Sequence, residues 1–472
     1  MIGRKEEYRA LRELFESPES QFVAVYGRRR VGKTYLIREA FDYRFDFQHT
    51  GIYGASRSEQ LQEFRESLIS AGLEKCPVPK TWNEAFHILS RFIESKPKDG
   101  NKKVIFIDEL PWMDTTRSNF VRALDHFWNG WATTRKDIIL IICGSATSWI
   151  INNVIMNYGG LHNRLTKQIF LEPFNLKECK AYCEANDLGY SMAQILEAYM
   201  ALGGIPYYWS FMKRGNSVAQ NFDNIFFSER GALSHEFDAL YKSLFKKPKK
   251  HIAIIHALAT KKKGLERGEI LKATKLSDNE AFSTALKELE QCGFIRKYTA
   301  LGKKTKEAVY QLMDNYTLFY FDFISQNENG NPNFWTSNIA SSLHSGWAGR
   351  AFERVCLQHV PQIKRALGFS AVICNAHSWQ CHADGNHGGS QIDLVLDRND
   401  DTINLCEIKY CNGEYLITKD EDLKIKNRKN ALIAETGTKK GVLITMITTY
   451  GLVKNPYAHD IHCQVTMEDL FQ

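Results

Sequence analysis

Long hydrophobic stretches are missing from this chain of 472 residues. Its longest apolar runs, such as "DIILIICGSA" at 137–146, fall far short of the roughly 20 residues that cross a bilayer, so no helical membrane span is expected. The first residues, "MIGRKEEYRALREL", lack the apolar core of a secretory leader. They are charged and amphipathic, and a cytoplasmic location follows as the expectation. Regular cysteine spacing is also missing. Eleven cysteines, an odd number, are scattered through strand-like and helix-like runs, which argues for reduced thiols over a disulfide framework. There are no internal repeats and no long low-complexity tract. What remains is ordinary globular composition, 44% hydrophobic and 24% charged, over a length that suggests about three domains.

The formal net charge of +7 is unevenly spread. Residues 242–307 hold 17 Lys and Arg against 7 Asp and Glu, more excess positive charge than the whole chain. A concentrated basic region suits a polyanionic partner such as DNA. Charge alone fits a solvated basic linker, such as "KKPKK", equally well.

Residues 22–170 alternate near-continuous apolar runs ("FVAVYG", "KKVIFIDE", "DIILIICGSA") with helix-like stretches. This is the pattern of a doubly wound α/β domain with a buried parallel sheet. Residues 171–240 read as a helical lid. From 241 to 325 the pattern is three helices and then "IRKYTALGKKTKEAVYQL", two strands around a Gly-Lys-Lys tip, the layout of a winged helix-turn-helix. "DNEAFSTALKELEQ" is its candidate recognition helix, with Asp278 as the expected N-cap and an end at Gly293. "SQNENGNPN" at 325–333 reads as a linker, and 340–472 as a last α/β unit.

"GRRRVGKT", Gly27, Arg28, Arg29, Arg30, Val31, Gly32, Lys33 and Thr34, fits G-x-x-x-x-G-K-[ST] between a strand and a helix. Its backbone N–H groups would wrap the phosphates of ATP. Lys33 would reach the β- and γ-phosphates, and Thr34 would bind Mg²⁺ through its hydroxyl. "VIFIDEL" ends a strand in Asp108, suited to the Mg²⁺ shell, and Glu109, suited to polarising the attacking water. Ser145, ending the next strand, would either sense the γ-phosphate or cap the next helix. Arg164 could touch a phosphate across a subunit boundary in a homo-oligomer, or sit on the surface.

"QIDLVLDRNDDTINLCEIKY" at 391–410 looks like a hairpin with acids inside its strands. If the turn is 398–402, Asp397 faces Ile403, Val395 faces Leu405 and Asp393 faces Glu407, with Lys409 on the same face. Facing residues have Cβ atoms about 4.5–5.5 Å apart. Two carboxylates so placed favour a hard cation such as Mg²⁺ or Mn²⁺, and a nearby ammonium suits phosphodiester hydrolysis. The competing reading is an exposed hairpin with a Glu–Lys pair. A slip of one residue would favour it by putting Asp393 and Glu407 on opposite faces. Just upstream, Cys374, His377, Cys381, His382 and His387 cluster, yet their spacing fits no standard zinc site, and a polar loop is the alternative.

"IGRKEEYRAL", "YGRRRVGKT", "IFIDELPWM", "GSATSWI", "NRLT" and "GGIPYY" span residues 2–208. They resemble the archaeal-type ATPase family, a branch of the STAND P-loop ATPases related to AAA+ proteins. The resemblance implies that Ile2, Gly3, Arg4 and Pro206 lie near the nucleotide base. Many such proteins continue into a winged helix and a C-terminal domain similar to PD-(D/E)XK, restriction-endonuclease-like nucleases; here "AFERVC", "QIDLVL" and "CEIKY" carry that likeness. It implies a catalytic and metal-binding set of Asp393, Glu407 and Lys409. It adds Glu353, presented by a helix over "GWAGRAFERVCLQHVPQIKRAL" in which Phe352, Val355, His359 and Ile363 form the apolar stripe. Lys419 and Lys424 would face a DNA backbone.

The expected protein is therefore an ATPase that couples nucleotide state to a metal-dependent DNA nuclease-like domain. The alternatives are a signalling or DNA-binding regulatory switch in which that nuclease fold is silent.

Overall fold

A computed structural model of the chain describes residues 1–97, 99–156, 159–161, 163–245, 247–261, 263–302, 307–381 and 390–472. The chain forms two compact units, residues 1–173 with 240–248, and residues 174–239 with 249–472. Among the described residues no helix is long and apolar enough to cross a membrane. The cysteines there whose side chains are described are free thiols.

The first unit is an α/β sandwich around five parallel strands. These are β1 (Gln21–Tyr26), β2 (Phe47–Thr50), β3 (Lys103–Asp108), β4 (Ile138–Gly144) and β5 (Lys167–Phe170), in the order β2-β3-β4-β1-β5. Every residue of β3 and β4 is buried, which explains why they read as unbroken apolar runs and not as alternating ones. Helices Trp82–Ser95 and Phe120–Gly130 cover the sheet through Phe86, Leu89, Leu124 and Phe127. Because β4 lies between β1 and β3, its C-terminal end falls between the ends of those two strands. The loop after β1 and the acids at the end of β3 thus come together: Thr34 bonds Asp108 directly, and Ser145 bonds Glu109.

The second unit begins with helices Leu176–Ala185 and Met192–Leu202, capped by Asn175 and Ser191 through reciprocal capping boxes with Glu178 and Gln194. The "GGIPYY" segment lies here, with Pro206 opening the short helix Pro206–Trp209. Gly203 caps the preceding helix at φ 59°, and a Cβ on Gly204 would sit on the carbonyl oxygen of Phe174. This glycine pair is a packing requirement of the unit.

Helices Lys249–Thr260, Arg267–Thr274 and Glu280–Gln291 accompany a small antiparallel sheet, whose first strand lies between the first two of them. It consists of β6 (Leu265–Glu266), β7 (Ile295–Tyr298) and β8 (Val309–Leu312) in the order β6-β8-β7. The cap of the third helix is Asn279, which accepts the Phe282 N–H; Asp278, the expected cap, pairs with Arg267 instead. Lys303 and Lys304 of the expected tip lie outside the described residues. Residues 325–333 are almost wholly exposed, as a linker would be. They do not separate two cores, because Trp335 directly after them stacks edge-on with Phe323 and Trp347.

The last sheet holds β9 (Cys374–Cys381), β10 (Ser390–Arg398), β11 (Thr402–Lys409), β12 (Gly441–Thr448) and β13 (Cys463–Thr466). β10 runs antiparallel to both β9 and β11. The helix Lys419–Thr436 then crosses over to β12, which lies parallel to β11. The expected single helix over 346–367 is two, Ser342–Gln358 and Val360–Ala366. Pro361 explains the break: it has no N–H to give, and its ring disfavours helical backbone at the residue before it. His359 at the joint is buried; Nε2 accepts the Leu176 N–H and Nδ1 meets the Val355 carbonyl, which fixes the tautomer. Burial lowers its pKa to about 4, so it is a neutral packing group.

Gly204→Ala is expected to destabilise the protein by about 2–3 kcal/mol through overpacking against Phe174. Urea denaturation with an unchanged midpoint would contradict this account of the glycine pair.

Candidate functional site

In the first unit, Gly27 takes φ 144° and Gly32 takes φ 91°, backbone that side chains resist, and Gly32 faces open space where a Cβ would point. Arg28 and Val31 are buried, while Arg29 and Arg30 are half-buried. Lys33 is 6% exposed, and its ammonium donates to the carbonyls of Gly27 at 3.0 Å and Arg28 at 2.9 Å, which holds it across the loop. Thr34 Oγ1 donates to Asp108 Oδ2 at 2.8 Å, joining the two oxygen donors suited to Mg²⁺. The residues present therefore fit a nucleotide with its cation.

Glu109 has left-handed backbone at φ 45° and accepts both the Ser145 N–H (3.1 Å) and the Ser145 hydroxyl (2.8 Å). Burial raises its carboxyl above the usual range, with Lys33 opposing and Asp108 reinforcing that rise. Ser145 thus works on Glu109; the next helix is capped at Ala146 without a side-chain bond, so the capping alternative is not what the fold uses. Arg4 is buried and donates to the Glu172 carbonyl just beyond β5. Ile2 and Gly3 are half-buried beside it, and Arg164 is exposed. Pro206 belongs to the second unit.

In the second unit, Glu353, Asp393, Glu407 and Lys409 line one cavity of about 280 Å³. The β10–β11 ladder pairs Asp397 with Ile403, Val395 with Leu405 and Leu394 with Cys406, the register expected from the sequence. The regular pairs stop there. Between Ile392 and Val395 the β9–β10 register shifts by one residue, so Asp393 sits at a bulge. Bulges of this kind re-aim side chains at sheet edges and beside active sites.

Gln391 Nε2 donates to Asp393 Oδ1 at 2.6 Å. Glu407 is 6% exposed; its Oε2 takes an ion pair from Arg428 at 2.7 Å, while its Oε1 is buried with no hydrogen-bond partner among the described residues. Burial raises the Glu407 carboxyl, and Arg428 opposes that. Glu353 is pushed up to about 7 by burial first and by Asp393 second.

Three of the residues around these acids had no signal in the local sequence. Arg428 comes from the crossover helix, four residues past Lys424, which is itself exposed, as is Lys419. Arg354 follows Glu353 and is 5% exposed. Arg296 comes from β7, far back in the chain. Among the described residues no three His, Cys, Asp or Glu side chains are grouped to hold a metal ion. The expected carboxylates therefore share a cavity without forming a ready three-ligand site. Of the Cys/His cluster, His382 and His387 lie outside the described residues, as does the side chain of Cys381. His377 meets the Thr299 carbonyl at 3.0 Å.

The helix Glu280–Gln291 exposes Glu280, Lys287 and Glu290, so its free surface is not basic. A helix that reads DNA needs cations toward the phosphates. Two cations of this basic segment, Lys263 and Arg296, line the cavity instead.

A parallel sheet with a phosphate loop after β1, and Thr34 bonded to an aspartate ending β3, defines a P-loop nucleotide-binding domain. Residues 1–210 match a family described as an ATPase domain predominantly from Archaea. Residues 316–425 match "Archaea bacterial proteins of unknown function". The chain is 26% identical over 442 residues to an uncharacterized protein of Methanocaldococcus jannaschii, covering 90% of this chain and 89% of that one. Among solved structures it is similar to the Walker-type ATPase of Pyrococcus abyssi, at 18% identity over 67% of this chain and 95% of that one, TM-score 0.48. It is also similar to the ORC2 protein of Aeropyrum pernix in its ADPNP-ADP complexes, at 12% identity over 72% and 96%, TM-score 0.39.

Since Glu353 binds its proton more tightly in the fold than in the open chain, the folded state holds the extra proton between about 4.5 and about 7. Its share of stability therefore falls as pH rises through that window. In metal-free buffer, Glu353→Gln should be more stable relative to wild type at pH 7.5 than at pH 5. An equal difference at both pH values would contradict the raised carboxyl.

Proposed function

We propose that the protein is an ATPase whose C-terminal module cleaves DNA phosphodiesters with a divalent cation, and that nucleotide state in the first unit controls the second. The observation that carries this reading is the cavity. Glu353, Asp393, Glu407 and Lys409 come from one helix and two strands, and they line one cavity with a buried carboxylate oxygen that meets no partner among the described residues.

That orphaned Glu407 oxygen beside Asp393 suits a hard cation resting on two carboxylates, with water and phosphate oxygens completing its shell. Such a cation, Mg²⁺ or Mn²⁺, would supply positive charge against the phosphodiester. Lys409 offers its ammonium to the charge that develops on the phosphate oxygens. In the reaction, water attacks phosphorus, the bond from phosphorus to the leaving oxygen breaks, and that oxygen takes up a proton. In the first unit, Lys33 and the loop amides would hold the phosphates of ATP, Thr34 and Asp108 its Mg²⁺, and Glu109 would orient the attacking water, steadied by Ser145. We read residues 250–313 as a winged helix that serves as a packing module and not as a reader of duplex DNA, because its third helix lacks a basic face.

One observation favours a second reading, a nucleotide-dependent switch whose nuclease fold is silent. Arg428 already takes one oxygen of Glu407. A permanent ion pair there would keep a cation out.

DNA cleavage in Mg²⁺ or Mn²⁺, measured with and without ATP, separates the two. Glu407→Ala should lower the rate roughly a hundredfold or more. Cleavage that survives the substitution, or none by wild type in either metal, would sink the nuclease reading. For the ATPase, Lys33→Ala should abolish ATP binding. Glu109→Gln should still bind ATP while hydrolysing it roughly a hundredfold more slowly. Equal turnover by Glu109→Gln and wild type would remove Glu109 from the reaction.

A further inference from the structure

The cavity is not built by the nuclease-like sheet alone. One wall is the small sheet at 265–312, which contributes Arg296, Tyr298 and Gln311, with Lys263 just before it. Arg296 is firmly placed. Its Nε–H donates to Gln311 Oε1 at 2.7 Å, and its guanidinium lies 4.4 Å over the Tyr298 ring. The Tyr298 hydroxyl in turn donates to the Lys263 carbonyl at 2.9 Å. A guanidinium held in this way loses little freedom when it binds an anion.

Charge in the cavity is unbalanced. Arg350 faces Asp322 at 3.7 Å and is left aside. Lys263, Arg296, Arg354, Lys409 and Arg428 then stand against Glu353, Asp393 and Glu407, five cations to three acids. Arg354 is buried close enough to Arg296 that the second guanidinium adds to the effect of burial in lowering its pKa, to about 10. A buried guanidinium and a half-buried one that repel each other are relieved by an anion placed between them, and the planar fork of arginine matches phosphate oxygens.

Size limits what that anion belongs to. At about 280 Å³ the cavity is near the lower end of ligand pockets, which begin at roughly 300 Å³, so it has room for one nucleotide-sized group and none for a stacked duplex. A nucleotide of a flexible single strand, or one extruded from a duplex, can enter such a cavity whole, and a stacked base pair cannot.

We propose that the Arg296 wall turns this cavity into a phosphate pocket for a nucleotide of single-stranded DNA, with Arg296 and Arg354 gripping the phosphate and duplex DNA excluded. The proposal rests on the reading of the cavity as a DNA site, and it assigns to β7 the role of setting strand specificity. Arg296 is a binding residue supplied by the winged-helix module.

The test is fluorescence anisotropy of the full chain with Ca²⁺ in place of Mg²⁺, so that binding is read without cutting. The probes are a labelled single-stranded oligonucleotide and a duplex of the same length closed by hairpins at both ends. Wild type should bind the single strand roughly tenfold or more tightly than the closed duplex. Arg296→Gln should weaken single-strand binding roughly tenfold, Arg296→Lys should weaken it less, and ATP binding should be unchanged in both. The wild-type comparison needs no substitution, so it stands even if a variant fails to fold. Equal affinity for the two probes, or single-strand affinity indifferent to Arg296→Gln, overturns the proposal. Arg296-dependent binding without cleavage in Mg²⁺ would sink the nuclease reading and leave this pocket standing. Glu407-dependent cleavage with binding indifferent to Arg296 would do the reverse.

Discussion

The second unit depends on how it tolerates the buried carboxylate of Glu407. A charge that is 6% exposed is costly unless it is paired. Arg428 meets one oxygen and none of the described residues meets the other. The surroundings make sense as a response to that charge and to Asp393 and Glu353 near it. Cations come from the crossover helix, from the end of β11, from the helix that carries Glu353, and from the small sheet. Cores do not gather this many charges for stability, since apolar replacements of similar shape usually do as well or better. Their concentration in one cavity is the observation on which the proposed ligand site rests.

Topology explains why the charges meet there. Side chains alternate along β11, so Ile403 and Leu405 turn into the core beneath the crossover helix, and Glu407 and Lys409 continue on the same face at the strand's C-terminal end. Arg428 reaches Glu407 from that helix because the parallel β11–β12 connection has to pass over this face. The first unit obeys the same rule. Its phosphate loop, Asp108, Glu109 and Ser145 all follow the C-terminal ends of parallel strands, where α/β sheets bind ligands. Both sites put polar side chains where the apolar runs stop.

The phosphate loop was legible in the sequence because all its parts are local: a strand, a fixed glycine spacing and a helix within a few residues. Asp108 and Glu109 were legible for the same reason, as acids ending an apolar run. The hairpin register followed from alternation once the turn was placed at 398–402, and Asp397 shows the limit of that reading. It lies in the same strand as Asp393 yet forms a plain ion pair with Lys440 at 2.7 Å. Alternation does not tell a surface acid from a cavity acid. The bulge at Asp393 left no trace in the composition of β10. Arg296, Arg354 and Arg428 were hidden because a basic residue on a strand or helix looks like any solvated cation until the fold closes over it. The charge excess of 242–307 was visible, but its direction was not: two of its cations turn into the cavity, while the helix expected to read DNA shows a face with more glutamate than lysine. The break at Pro361, by contrast, could have been read from the proline itself.

The central claim, that Glu407 and Asp393 form a cation site inside a phosphate-binding cavity, is tested most directly by anomalous diffraction from crystals of the protein grown with Mn²⁺ and a nonhydrolysable ATP analogue. Two manganese peaks are predicted, one beside Thr34 and Asp108 and one between Asp393 and Glu407, with Arg428 displaced from the Glu407 carboxylate. Manganese at the phosphate loop alone, with the Arg428–Glu407 pair intact, would contradict the account.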